Sequence, residues 1–239
     1  MLLVWIIVAA VLGAGVAAVA GFGIGTILTP VVAFKTGMKL AFSVVALPHF
    51  VATLIRSLKL WRHLDWRVFW TFGVMNAAGA LIGALLHGAA NNSGLKWLLA
   101  ALLSFAGLLS IFGYADRMRF GRALVWPGGA VSGMLGGLVG NQGGIRSAAM
   151  LGLNVDREAF VATGIGLIVD VGRIPVYLYS DADMLLKLGP TVLWATLACV
   201  VGTLLGAQML CHSPKPVFRR VIGAVLLFTA VMLMVQRSK

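Results

Sequence analysis

The sequence predicts an all-α integral membrane protein with about eight membrane segments arranged in two repeats. Three observations lead to this prediction: the apolar composition, the length of the apolar blocks, and a glycine pattern that recurs along the chain. Of the 239 residues, 60% are hydrophobic and 11% are charged, whereas soluble domains are about 45–50% apolar and about 25% charged. A soluble fold of this length cannot hide so much apolar side chain, so soluble enzymes, disordered proteins and disulfide scaffolds are excluded.

Continuous apolar blocks divide the chain, and most match the ~20 residues that a helix needs to cross a bilayer. A β-barrel would instead need short stretches of alternating hydrophobicity, so helices are predicted. A loop is expected around Ser180 to Asp183, between the sixth block and the seventh. The approximate blocks are 2–34, 40–60, 67–88, 95–113, 123–151, 157–178, 185–210 and 217–236.

The net charge of +12 comes from basic residues that lie mostly between the apolar blocks. This placement indicates membrane topology and contact with anionic lipid headgroups rather than nucleic acid. Arg56 and Lys59 end the second block and are expected at the interface, where the alternative is that they also line an anion entry. Asn76 is expected to hold helices together.

Two blocks are too long for one upright helix and contain dense glycine, at Gly21 to Gly25 and at Gly136 to Gly144. Glycine frees the backbone from a helix at little steric cost. In lipid, such backbone is tolerated only inside protein or beside a watery cavity. Each repeat is therefore expected to begin with a glycine-broken helix or a re-entrant hairpin that faces inward.

The repeats are predicted at 1–120 and 121–239, within a single membrane domain. Gly140 follows Gly21 by 119 residues, and the pattern Gly79-xxx-Gly83 returns as Gly202-xxx-Gly206. Both glycine pairs are assigned to close helix packing. The repeats are parallel if the broken block crosses the membrane and inverted if it turns back. The inverted arrangement gives the larger excess of Lys and Arg on one side and is preferred, with both termini outside the cytoplasm.

The two breaks are predicted to form one anion site, because a half-helix N-terminus carries unpaired N–H groups and about half a positive charge. Thr26, Asn141 and Gln142 would add neutral donors. Arg146 either contacts the anion or reaches to the interface. The predicted substrate-binding residues are Gly21, Phe22, Gly23, Gly25, Thr26, Gly140, Asn141, Gln142, Gly143, Gly144, Arg146 and Arg173.

Three ionisable residues inside the spans are candidates for coupling and binding. Asp170 and Arg173 share one helix face: Arg173 contacts the anion while Asp170 holds it or titrates, or the two form a structural ion pair. His49 follows Pro48 and is a proton-coupling group, an anion contact or a partner of a neighbouring helix. The predicted coupling residues are His49 and Asp170.

The glycine-rich segment followed by Pro30, its echo about 120 residues later, and the stretches Ala162-Thr163-Gly164 and 170–178 resemble the sulfite exporter TauE/SafE family. The likeness spans nearly the whole chain. The sequence departs from the pattern of this family in three places. The second break contains the amides Asn141 and Gln142 and is not followed by a proline. The first half carries Leu47-Pro48-His49. The resemblance implies proton-coupled transport of a small sulfur oxyanion or organosulfonate.

The sequence therefore predicts a secondary transporter that moves such an anion by alternating access across a bacterial cytoplasmic membrane. An anion channel is the alternative. A membrane enzyme is not favoured, because GxSxG, HExxH, P-loop and paired CxxC motifs are missing from the sequence. A metal carrier would need carboxylates, and only Asp170 lies deep in a span. The expected partners are the anion, membrane lipids and protons, with no cofactor and no metal.

Overall fold

The computed structural model describes residues 1–21, 23–113, 124–140, 165–209 and 215–235. These ranges contain helices and no strand, so the predicted all-α class is confirmed. A three-residue 3₁₀ turn (Trp61–His63) precedes the fourth helix, which includes a π-helical stretch (Phe69–Gly73). The helices are α1 (Leu2–Ala20), α2 (Ile24–Thr36), α3 (Met38–Lys59), α4 (Trp66–Ala89), α5 (Asn92–Phe112), α6 (Val125–Val139), α7 (Ile165–Lys187), α8 (Gly189–Met209) and α9 (Lys215–Val235).

Five of the described helices, namely α1, α3, α4, α5 and α8, are long and apolar enough to cross a membrane. The helices α2 and α6 are apolar but shorter, with 13 and 15 residues. α7 has 23 residues but carries Asp170, Arg173 and Asp181 within its length. The predicted number of membrane segments remains a prediction.

The first long apolar block is broken where the glycines predict it. α1 ends at Gly21, which has the left-handed φ of 80° and donates its N–H to the carbonyl of Ala17 at 2.8 Å. Gly23, with φ of 143°, precedes α2. Left-handed backbone of this kind is routine only for glycine, so these two residues allow the chain to leave one helix and start another.

The second long block also leaves its helix at a glycine. α6 ends at Gly140, where φ is 63° and the N–H bonds to the carbonyl of Gly136 at 2.9 Å. The end of this helix is therefore confirmed. The remainder of the predicted second break, Asn141 to Gly144, lies outside the described residues.

In place of the loop predicted around Ser180 to Asp183, the structure has a kink. Asp181 is non-helical, with φ of −123° and ψ of 18°, and a second helical stretch follows it to Lys187 within α7. Ser43 of α3 donates its hydroxyl to Asp181 Oδ2 at 2.5 Å. A helix can keep this polar residue because the carboxylate has a partner on the neighbouring helix.

Glycines allow α4 and α6 to pack with their backbones in contact. A Cβ at Gly79 would overlap the carbonyl oxygen of Ala130, and one at Gly83 would overlap that of Met134. Asn76 of α4 also donates to the carbonyl of Gly129 at 3.1 Å, and so has the helix-joining role predicted for it. Close packing and polar bonds of this kind hold helices together where both sides of the contact are equally apolar.

α1 and α8 also pack with their backbones in contact at glycines. Cβ atoms at Gly202 and Gly206 would overlap the carbonyl oxygens of Val11 and Gly15. Val11 and Gly15 lie 119 residues before Ala130 and Met134, whose carbonyls α4 contacts on α6. The same separation relates Gly21 to Gly140. The predicted packing role of both glycine pairs is confirmed.

Candidate functional site

The two glycine breaks lie against each other in the folded chain. A Cβ at Gly25, in the first turn of α2, would come within 2.7 Å of the carbonyl oxygen of Gly140. The N-terminus of α2 therefore packs on the end of α6. This contact requires glycine at position 25, because any side chain would push the two breaks apart.

The last turn of α6 is capped by three side chains from other helices. The last carbonyls of a helix have no partner within it and carry its partial negative charge. Donors that bond these carbonyls offset that charge, so the end of α6 repels an anion less. The bonds run from Arg173 Nη1 to Gly136 at 3.4 Å, from the Tyr177 hydroxyl to Gly137 at 2.5 Å, and from His87 Nδ1 to Leu138 at 2.9 Å.

An arginine also caps the end of α1. Arg56 of α3 donates from Nη1 to the carbonyl of Ala17 at 2.5 Å and from Nη2 to the Thr53 hydroxyl at 3.0 Å. Arg56 is only 5% exposed, so its side chain is buried among the helices rather than extended to the surface. The guanidinium lies inside because the carbonyl of Ala17, which already accepts the N–H of Gly21, accepts a second hydrogen bond there. Gly136, the carbonyl that Arg173 contacts, lies 119 residues after Ala17.

His49, Asp170 and Arg173 form a buried polar cluster between α3 and α7. His49 Nδ1 lies 2.6 Å from Asp170 Oδ2. Arg173 holds the other oxygen, Asp170 Oδ1, with Nε at 2.8 Å and Nη2 at 2.7 Å. Asp170 is fully buried, whereas the His49 side chain is 15% exposed. The carboxylate is thus shared between a permanent cation and an imidazole that can gain or lose a proton.

The cluster lies next to the breaks. Arg173 Nη1 lies 2.8 Å from the place that a Cβ at Gly140 would occupy. The ion cluster therefore sits directly beside the junction of the two breaks. An anion near this junction would meet both the start of α2 and the guanidinium of Arg173.

The structure brings together the residues of the predicted site that it describes. One of them, Thr26, has a different role from the predicted one. The Thr26 hydroxyl donates to the carbonyl of Gly23 at 2.7 Å, so its proton is used within the first turn of α2. The other predicted residues, Phe22, Asn141, Gln142, Gly143, Gly144 and Arg146, lie outside the described residues.

Sequence reasoning missed Tyr177, His87 and the capping role of Arg56. Tyr177 follows Arg173 by four residues, and His87 follows Gly83 by four, so each shares a helix face with a residue that was noticed. Those spacings were the available signal. Among the described residues, no three His, Cys, Asp or Glu side chains come together in a way that would hold a metal ion.

The sequence matches the family Sulfite exporter TauE/SafE over residues 6–233. The chain belongs to this family. No match is found among curated proteins or among solved structures. Membership identifies this TauE/SafE protein as a multi-pass membrane transporter for sulfite or a related anion, and it points away from an enzyme.

Proposed function

We propose that this TauE/SafE protein is a secondary transporter that moves sulfite, another small sulfur oxyanion or an organosulfonate across a bacterial cytoplasmic membrane. The observation that carries the proposal is the contact between the two breaks beside Arg173. A half-helix start and a buried guanidinium both favour negative charge, and neither needs a metal or cofactor. In this proposal the part of the second break that lies outside the described residues, Asn141 to Gly144 with Arg146, completes the anion site together with Gly21, Phe22, Gly23, Gly25, Thr26 and Gly140.

We propose further that the chain consists of two inverted repeats, 1–120 and 121–239. Three contacts support this arrangement because each recurs at a separation of 119 residues. They are the glycine contacts on Val11 and Ala130, the arginine contacts on Ala17 and Gly136, and the side-chain bonds to Ala10 and Gly129. Rocking one repeat against the other would expose the shared junction to each side in turn.

His49 and Asp170 are proposed as the proton-coupling pair. Their 2.6 Å contact joins α3 to α7, which belong to different proposed repeats. With a proton on His49 the contact is an ion pair, and without it the attraction between the two helices weakens. Arg173 holds the other oxygen of Asp170, and we assign the titration to the imidazole of His49. The proton would thus bias the movement that transports the anion.

The test is sulfite flux in proteoliposomes. We expect saturable uptake with counterflow, and stimulation by a pH gradient. Uptake that does not saturate and shows no counterflow would assign the protein as an anion channel instead. His49→Gln keeps a polar side chain but cannot titrate, so we expect it to lose the stimulation by the pH gradient and keep downhill flux. A pH-gradient response unchanged in His49→Gln would contradict the coupling role.

A further inference from the structure

Arg56 and Arg173 hold corresponding places but have different partners. Each caps a carbonyl at the end of a broken helix, and these carbonyls belong to Ala17 and Gly136. Each also contacts the residue three positions earlier on its own helix. For Arg173 that residue is the carboxylate Asp170, and for Arg56 it is the neutral Thr53.

The difference lies on one edge of the guanidinium. Arg173 uses Nε and Nη2 together to hold Asp170 Oδ1. In Arg56 the Nη2 donates to the Thr53 hydroxyl, and Nε–H finds no acceptor among the described residues. The Nε and Nη2 edge that binds a carboxylate in Arg173 therefore has, among the described residues, an acceptor for only one of its two nitrogens in Arg56.

A buried guanidinium with an unpaired N–H costs free energy. Arg56 is 5% exposed, and a charge removed from water needs a compensating charge or a full set of hydrogen bonds. The end of α1 supplies only about half a negative charge, and the end of α6 supplies the same to Arg173 in addition to Asp170. Among the described residues, Arg56 thus lacks the full negative charge that Asp170 gives its counterpart.

The same imbalance holds when Arg56 is taken together with the cluster of His49, Asp170 and Arg173. Among the described residues, the two arginines contribute two positive charges and Asp170 contributes one negative charge. With neutral His49 these four residues carry a net single positive charge. A monoanion would neutralise it, and a dianion would do so when His49 holds a proton.

We propose that the transported anion is the missing counter-ion of Arg56. Two oxygens of a small monoanion such as hydrogen sulfite or a sulfonate match the Nε and Nη2 fork, which Arg presents in a fixed plane. The anion takes the place that the carboxylate of Asp170 has on Arg173. This inference rests on the proposed function and names the side chain and the substrate charge that set its selectivity.

The decisive variant is Thr53→Asp, which supplies the carboxylate found at the corresponding position of α7. An internal carboxylate would occupy the Arg56 fork and compete with the anion. Thr53→Asn is the matched control, since it has nearly the same shape and no charge. Binding is measured on the purified full chain as the rise in melting temperature with sulfite, and transport is measured in proteoliposomes.

We expect Thr53→Asp to weaken sulfite binding at least about tenfold more than Thr53→Asn. Its melting temperature without sulfite should equal or exceed that of Thr53→Asn, because the buried cation gains a partner. If the wild type transports sulfite but the two variants bind sulfite equally, the inference is overturned. The proposed function would then stand. Absence of sulfite binding and transport in the wild type would overturn both.

Arg56→Gln and Arg56→Lys provide a second test that does not depend on Thr53→Asp folding. Gln keeps a donor for the Ala17 carbonyl but has no charge, whereas Lys keeps the charge. We expect binding to fall in the order wild type, Lys, Gln, with Gln at least about tenfold weaker than the wild type. Folded Arg56→Gln with wild-type affinity would overturn the proposal.

Discussion

Asp170 bonds two partners at once, with His49 Nδ1 2.6 Å from one carboxylate oxygen and Arg173 2.7 Å from the other. This single carboxylate links α3 to α7 beside the junction of the glycine breaks. Its removal would leave Arg173 buried with no acidic partner among the described residues. The geometry of the cluster therefore depends on this one negative charge.

Asp170→Asn should abolish transport and lower stability. Breaking a buried ion pair by removing one partner costs about 3–5 kcal/mol, because the remaining charge stays buried and unpaired. We expect a lower melting temperature in detergent and no sulfite uptake. Asp183→Asn, at an exposed carboxylate of the same helix, is the control. A melting temperature and uptake unchanged in Asp170→Asn would contradict the central role of this residue.

Gly83→Ala should destabilise the contact between α4 and α6. The added methyl group would overlap the carbonyl of Met134, and overpacking of this kind costs about 1–3 kcal/mol. Gly88→Ala is the matched control on the same helix, since a Cβ there meets nothing within 4 Å. Thermal unfolding of both variants checks the prediction, which is refuted if their melting temperatures change equally.

Tyr177→Phe should cost about 1 kcal/mol, because it removes one hydrogen bond and leaves the Gly137 carbonyl without this partner. The uncapped end of α6 would also repel the anion more strongly, so we expect weaker sulfite binding. Tyr179→Phe serves for comparison, since Tyr179 is 93% exposed. Identical sulfite affinity in the two variants would show that the cap at Gly137 does not affect the site.

Gly140→Ala should impair binding as well as stability. The φ of 63° disfavours a side chain by about 1–2 kcal/mol, and the Cβ would lie 2.8 Å from Arg173 Nη1. Gly113→Ala introduces similar backbone strain at the end of α5, where φ is 77°. We expect both variants to lose stability and only Gly140→Ala to lose sulfite affinity. Comparable affinity losses would attribute the effect to strain rather than to Arg173.

The sequence predicted the features that depend on local backbone chemistry. Glycine alone tolerates the left-handed φ at Gly21 and Gly140, so the ends of α1 and α6 could be placed before the fold was known. The packing role of Gly79 and Gly83 followed from their spacing of four residues. The continuous apolar blocks likewise gave most helix positions to within a few residues.

Contacts between distant parts of the chain could not be predicted in the same way. Arg56 ends an apolar block, which is where an interfacial arginine also lies, and its partner Ala17 is 39 residues away. His49 and Asp170 were recognised separately, but their bond joins residues 121 apart. At Asp181 the gap between two apolar blocks predicted a loop, whereas the chain only kinks there and Ser43 of α3 bonds the carboxylate.

The glycine faces of the early helices are completed only by late ones. α1 packs against α8, and α4 packs against α6. A nascent chain that has emerged only through α5 would have neither partner available. Its backbone contacts would remain unmade until translation delivered the second part of the polypeptide to the bilayer. These two helix contacts therefore form only after the later helices have been synthesised.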